Sequence, residues 1–188
     1  SEKGMDGLLE SNFKRSQELL KEAGYDGKPI VLLHSTDLQS LTNLGPVAKQ
    51  LLEKGGFKVD MQSSDWQTVV SRRVRKDPVD RGGWNLMQTS WVSADILNPV
   101  MAGFFNASCD KAAFGWPCDE QMEKLRDDFA REPDAAKQKV IAEAVQMRWR
   151  DVVTHVHLGQ YNVPIAARKN LTGILTAPAP VFWNVEKK

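Results

Sequence analysis

The chain lacks any excess of one charge sign: 25 Lys and Arg stand against 24 Asp and Glu, a net charge of +1 over 188 residues. That balance excludes the broad basic face of a nucleic-acid binder. Basic residues do cluster at Arg72, Arg73, Arg75 and Lys76, which reads as the solvated face of a helix. No apolar run reaches the ~18 residues a membrane helix needs. No signal peptide is read at the start, so an exported protein would be processed, or be represented here by one part of itself. The motifs G-x-S-x-G, a Gly-rich phosphate loop and H-E-x-x-H are missing. Asp95, Asp110 and Asp119 are too scattered to define a glycosidase pair. No internal repeat or low-complexity tract is present. On these grounds no enzyme class is expected.

Cysteine is scarce too. Cys109 and Cys118 are the whole complement. Their spacing is not the C-x2-C of a zinc site. Two nearby cysteines with none elsewhere suggest one local disulfide and an oxidising compartment. The alternative is a pair of buried free thiols. Gly115 and Pro117 let the intervening chain turn back. A loop of that length, closed, would stabilise the fold by about 2.5–3 kcal/mol in the chain-entropy model. The pair lies in residues 90–120, SWVSADILNPVMAGFFNASCDKAAFGWPCDE, beside Trp91, Asp95 and Trp116.

What is present in quantity is alternation. Residues 12–23 read as an amphipathic helix, capped by Ser11 or Asn12 and ended by Gly24. The run 29–34 reads as a buried strand. A helix over 41–54 follows, stopped by Gly55-Gly56. Residues 57–61 alternate as a half-buried strand. A helix over 66–76, capped by Asp65, leads through Gly82-Gly83 to a third strand over 84–91. This order predicts an α/β fold, a mainly parallel sheet flanked by helices. The segment 95–118 is irregular and too long for a bare connector, so it is expected to be functional or cross-linked. Helices are expected over 119–131 and 134–151, with Pro133 in the first turn of the second. A further strand is expected over 153–161.

That last strand places His155 and His157 on one face. Two imidazoles can begin a metal site, but no third ligand is evident. They read as hydrogen-bonded strand residues, as does His34 in the first strand. No metal and no cofactor is expected. A metal-dependent hydrolase using the pair remains a distant third reading.

Ligand recognition has better support. In open α/β sheets, ligands gather beyond the carboxyl ends of strands. Trp91 and Asp95 fall where the third strand runs out. A Trp offers a broad apolar wall, and an Asp can hold an ammonium group through charge-assisted hydrogen bonds. The competing reading makes Trp91 a core residue and Asp95 a helix cap.

An ordered series of stretches resembles one family. These are SQELLKEAGYDGKPIVLL, GPVAKQLLEKGGFKVDM, WQTVVSRRVR, GGWNLMQTSWVSADILNP, and PIAARKNLTGI through FWNV. Together they are similar to the family 5 extracytoplasmic solute-binding proteins, the oligopeptide and dipeptide receptors of ABC importers. The resemblance implies a type 2 periplasmic-binding-protein fold in which two lobes close over a ligand. It implies a periplasmic or membrane-associated, extracytoplasmic protein that hands a peptide or other small solute to an ABC permease. The chain would be the C-terminal lobe, with 1–161 forming the ligand-binding lobe. Residues 162–188 would be a tail that packs on the N-terminal lobe of the same protein. Trp91 and Asp95 match a Trp-then-Asp ligand contact, with three residues between them where the best-known members have two. Trp66 and Arg73, seven apart, match a second cleft-facing pair. Family members also carry nickel chelates, haem, opines and sugars. The alternative from another class is the sensing domain of a cytosolic transcription regulator.

Overall fold

The computed structural model describes residues 2–8 and 10–188. The chain divides into two compact units. One is Ser1–Ser90 with Phe114–Trp116; the other is Trp91–Ala113 with Pro117–Lys188.

The first unit is built on a parallel sheet. Strands β1 (Ile30–Ser35), β2 (Val59–Ser64) and β3 (Leu86–Met87) lie in the order β2-β1-β3. Register runs from Ile30↔Val59 to Ser35↔Ser64 on one side, and through Leu32↔Leu86 and Leu33↔Met87 on the other. β1 is central, and Val31 to Ser35 are all buried. A strand buried on both faces needs an unbroken apolar run, which IVLL supplies. Val31, Leu33 and Val69 form the core cluster, flanked by Trp66, Trp84 and Met87.

Helix α1 spans Phe13–Glu22, and the Asn12 side chain accepts from Arg15 N to cap it. The expected helix over 41–54 is instead two, α2 (Gln39–Thr42) and α3 (Leu44–Lys54), meeting at Asn43. Pro46 supplies a reason. It has no N–H to donate to the carbonyl of Thr42, four residues back. The Thr42 carbonyl is taken by His34 Nε2 at 2.8 Å, while His34 Nδ1 meets Ser63 Oγ at 2.9 Å. The imidazole is therefore the Nε2–H tautomer, donating to Thr42 and accepting from Ser63. Gly45 sits directly against this ring: a Cβ there would lie 2.3 Å from His34 Cδ2.

β2 begins two residues later than expected and runs to Ser64. Helix α4 covers Trp66–Arg72 only, with Asp65 accepting from Thr68 N as cap. The third strand shrinks to Leu86–Met87. Asn85 explains its late start: its own N–H donates to Val31 O at 3.0 Å, and its side-chain Oδ1 accepts from Val31 N at 2.8 Å. A side chain thus replaces the backbone carbonyl in the ladder. Phe114–Trp116 completes this unit, with Arg73 4.4 Å over the Phe114 ring, and Lys76 5.0 Å over the Trp116 ring.

The second unit centres on α5 (Glu120–Arg131) and α6 (Ala135–Val152), capped by Asp119 and Asp134. Pro133 precedes the α6 cap and lies outside the helix. Ala107, Met122, Val145 and Trp149 make its core, with Phe105 and Leu125 against them. The expected strand over 153–161 does not form. Val153 takes a left-handed conformation (φ 50°) at the end of α6, and Trp149 Nε1 donates to the His155 carbonyl at 2.8 Å. The tail pairs only at β4 (Leu171–Thr172) and β5 (Glu186–Lys187), antiparallel. Phe182 is 74 % exposed and Trp183 87 %.

Asp119 joins the two helices. It caps α5 through Met122 N at 2.7 Å and forms a two-pronged ion pair with Arg148 of α6, one prong at 3.0 Å and the other, to Nη2, shorter. Arg148 holds this carboxyl below its ordinary range. The bond therefore stabilises the fold fully above the unfolded-state pKa and is lost as pH falls through the lower folded value. Asp119→Ala should cost about 2–3 kcal/mol in urea unfolding at pH 7. The deficit against wild type should shrink below roughly pH 4. A constant deficit down to pH 2 would show that the ion pair is not the source.

Candidate functional site

At the carboxyl end of β1, Ser35 Oγ donates to Asp37 Oδ1 at 3.1 Å, and the same oxygen accepts from Trp66 N at 2.7 Å. With Asp65 capping α4, this fixes where Trp66 starts the helix. Trp66 is half-buried and lies against the Val31–Leu33–Val69 cluster. One helix length later, Arg73 ends α4. Its backbone carbonyl accepts from Trp84 Nε1 at 3.2 Å, and its Nε is buried with no hydrogen-bond partner among the described residues.

Gln88, just past β3, was not singled out by the sequence. It is 9 % exposed, and neither its Oε1 nor its Nε2 has a hydrogen-bond partner among the described residues. A buried amide with donor and acceptor both free is costly and rare. It lies beyond the carboxyl end of a parallel strand, where such folds place ligands. Nothing in the local pattern WNLMQTSW separates it from an exposed strand glutamine.

In the second unit, Trp91 is 51 % exposed and meets Phe104 edge-on at 6.0 Å between centroids. Asp95 is exposed in a 3-10 turn, Ser93–Ile96, whose backbone closes through Asp95 N to Val92 O at 2.9 Å. No ion pair engages Asp95 among the described residues. The following loop is braced from α5. Arg126 donates from Nε to the Pro99 carbonyl at 3.1 Å and grips Glu123 at 2.7 and 2.8 Å. Glu123 in turn accepts from Ala107 N at 2.7 Å. Cys109 and Cys118 are joined in a disulfide, and Cys109 N donates to Pro117 O at 3.0 Å across the same neck. Trp66 and Arg73 thus belong to one unit, and Trp91 and Asp95 to the other.

His155 and His157 meet although no strand holds them. Their Nε2 atoms are 3.3 Å apart. Phe104, Phe105 and Trp149 surround His155, at 4.2, 5.1 and 5.3 Å between centroids. Burial, and then the neighbouring His157, push His155 down to about 4. Among the described residues no group of three or more His, Cys, Asp or Glu converges on one point. A recess of about 490 Å³ lies along α1, lined in part by Arg15, Leu19, Leu20 and Phe57; it includes none of the expected site residues.

These features can be set beside known proteins. No protein-family model matches the chain. It is 36 % identical over 174 residues to a probable peptide ABC transporter periplasmic-binding protein of Sinorhizobium fredii, covering 93 % of this chain and 33 % of that protein. The oligopeptide-binding protein AppA from Bacillus subtilis, solved with a nonapeptide, superposes with a TM-score of 0.72 at 18 % identity. That match covers 95 % of this chain and 38 % of AppA. The ABC transporter substrate-binding protein CtaP from Listeria monocytogenes gives a TM-score of 0.60 at 15 % identity, over 77 % of this chain and 29 % of CtaP. The fold is that of the type 2 periplasmic-binding proteins. The chain spans about a third of the length of the curated relative it matches. No helix among the described residues is long and apolar enough to cross a membrane.

Two outcomes are expected. Because the unfolded chain binds a proton at His155 near pH 6.5 and the folded chain only near 4, stability should fall as pH drops between those values. In urea unfolding at pH 7 and pH 5, His155→Gln should lose less stability than wild type; an equal loss would remove His155 as the cause. Gln88→Met should raise unfolding free energy by about 1 kcal/mol, since it removes an unpaired buried amide. A drop in denaturation midpoint would show that the amide is satisfied in solution.

Proposed function

We propose that this chain is the C-terminal lobe of an extracytoplasmic solute-binding protein that captures a peptide and delivers it to an ABC importer in the membrane. The observation that carries this reading is the 36 % identity to a peptide ABC transporter periplasmic-binding protein along nearly the whole chain. The disulfide fits an oxidising, extracytoplasmic compartment. It weighs against the cytosolic-sensor reading, which gains no support from the relatives named above. Those relatives are binding proteins, and the chain is read as a receptor rather than an enzyme.

Trp91 is the apolar wall for the ligand, and Asp95 the charge partner of its ammonium group. The exposure of Trp91 and the unpaired carboxylate of Asp95 support these roles. Trp66 and Arg73 form the second ligand-facing pair. The buried, unpartnered Nε of Arg73 is consistent with an acceptor arriving from outside the chain. Residues 1–161 form the binding lobe. Residues 162–188 pack on the N-terminal lobe, which would cover the exposed Phe182 and Trp183 rings. Binding works by hinge closure of two lobes, with affinity shared between them.

In the full-length protein, Asp95→Asn should weaken peptide affinity more than tenfold, a loss above about 1.4 kcal/mol by calorimetry. An unchanged affinity for a peptide with a free amino terminus rejects the ammonium role. Failure of the full-length protein to bind any peptide from a mixed library rejects the peptide reading itself.

A further inference from the structure

The histidine pair is not used by the reading above, and its geometry is specific. The chain has three histidines. His34 is locked, with both ring nitrogens hydrogen-bonded inside the first unit. The other two converge. Their Nε2 atoms stand 3.3 Å apart, with the rings nearly perpendicular at 83°.

We infer that His155 and His157 form a two-imidazole site for a divalent zinc-like cation. Three observations carry it. First, a cation held equally by two nitrogens 3.3 Å apart at the tetrahedral angle sits about 2.0 Å from each, the usual Zn–N(His) length. At a right angle, as octahedral coordination requires, the same span would force bonds of about 2.3 Å, longer than such sites hold. Second, His155 Nδ1 has its own partner, Thr154 Oγ1 at 2.9 Å, so the contact with His157 is left to Nε2. In the tautomer where Nδ1–H donates to Thr154, the ring presents its lone pair at Nε2, the arrangement that orients metal-bound histidines. Third, the pair has a wall and a door. Phe104, Phe105 and Trp149 pack around His155, while His157 is exposed. The apolar shell keeps the His155 imidazole neutral and its ring in place, and the open side leaves positions for water or a donor from a bound molecule. With imidazole as the protein donor among the described residues, borderline cations are selected over Mg²⁺ and Ca²⁺, which require oxygen ligands.

The test is calorimetric titration of the untagged chain with ZnCl₂ in chelator-treated buffer at pH 7.5, with MgCl₂ as the control. A single saturable Zn²⁺ site is expected, with no Mg²⁺ heat. His157→Gln changes an exposed side chain and should abolish the site while leaving the thermal midpoint in place. Thr154→Val should weaken it by about tenfold or more, by freeing the His155 ring. Imidazole ¹⁵N shifts should move for His155 and His157 and not for His34. The inference is overturned if no saturable Zn²⁺ heat appears. It is also overturned if His157→Gln binds Zn²⁺ as wild type does, which would mean an adventitious site elsewhere.

Discussion

The first unit depends on one constraint: β1 is buried on both faces, so every polar group along it must find a partner inside the protein. Four of its residues are apolar and meet the condition with their side chains absent from the account. His34 does not, and its ring must be satisfied on both sides. It takes one bond from β2 and gives the other to a carbonyl that Pro46 has left vacant. The same demand reaches the other edge, where Asn85 lends both its backbone N–H and its side-chain oxygen to Val31. The helix break at Asn43 and the late start of β3 are therefore consequences of burying one strand. Both place the carboxyl ends of the strands where Ser35, Asp37 and Trp66 are tied together.

The second unit solves a different problem. Its long segment 95–118 has little regular structure and is held by side chains instead. Arg126 and Glu123 on α5 reach its backbone, the disulfide closes its far end, and Asp119 connects that end to both helices. A loop tethered at several points is ordered without being packed through, which leaves Trp91 and Asp95 on the surface. A loop held in this way keeps aromatic area exposed without collapsing it into the core. The Phe104 ring then links Trp91 on one side to the histidine pair on the other.

What was legible in the sequence was local. Asn12 and Asp65 announce helix starts because capping is a contact over three residues, and the IVLL run announces a buried strand because burial on both faces leaves no room for alternation. The α/β order and the cysteine pairing follow from the same short-range signals. VTHVHLGQY has the alternation of a strand but does not form one, because Val153 is turned left-handed at the end of α6 and Trp149 Nε1 donates to the His155 carbonyl. Gln88 escaped notice because an unpaired amide is defined by what fails to surround it. The meeting of His155 and His157 was anticipated for the wrong reason: a shared strand face was expected, and an irregular segment folded against Phe104 delivers it.

The contact of Gly45 with His34 has an evolutionary corollary. Any side chain at position 45 would occupy the space of the imidazole, and any smaller residue at position 34 would leave a hole beneath the helix and two polar groups unanswered. The two positions are 11 apart in sequence but share one volume. Lineages that lose the histidine are expected to fill position 45 in the same step, and lineages that keep it are expected to keep glycine. Pro46 is drawn into the same exchange, because its missing donor is what leaves Thr42 free for the ring.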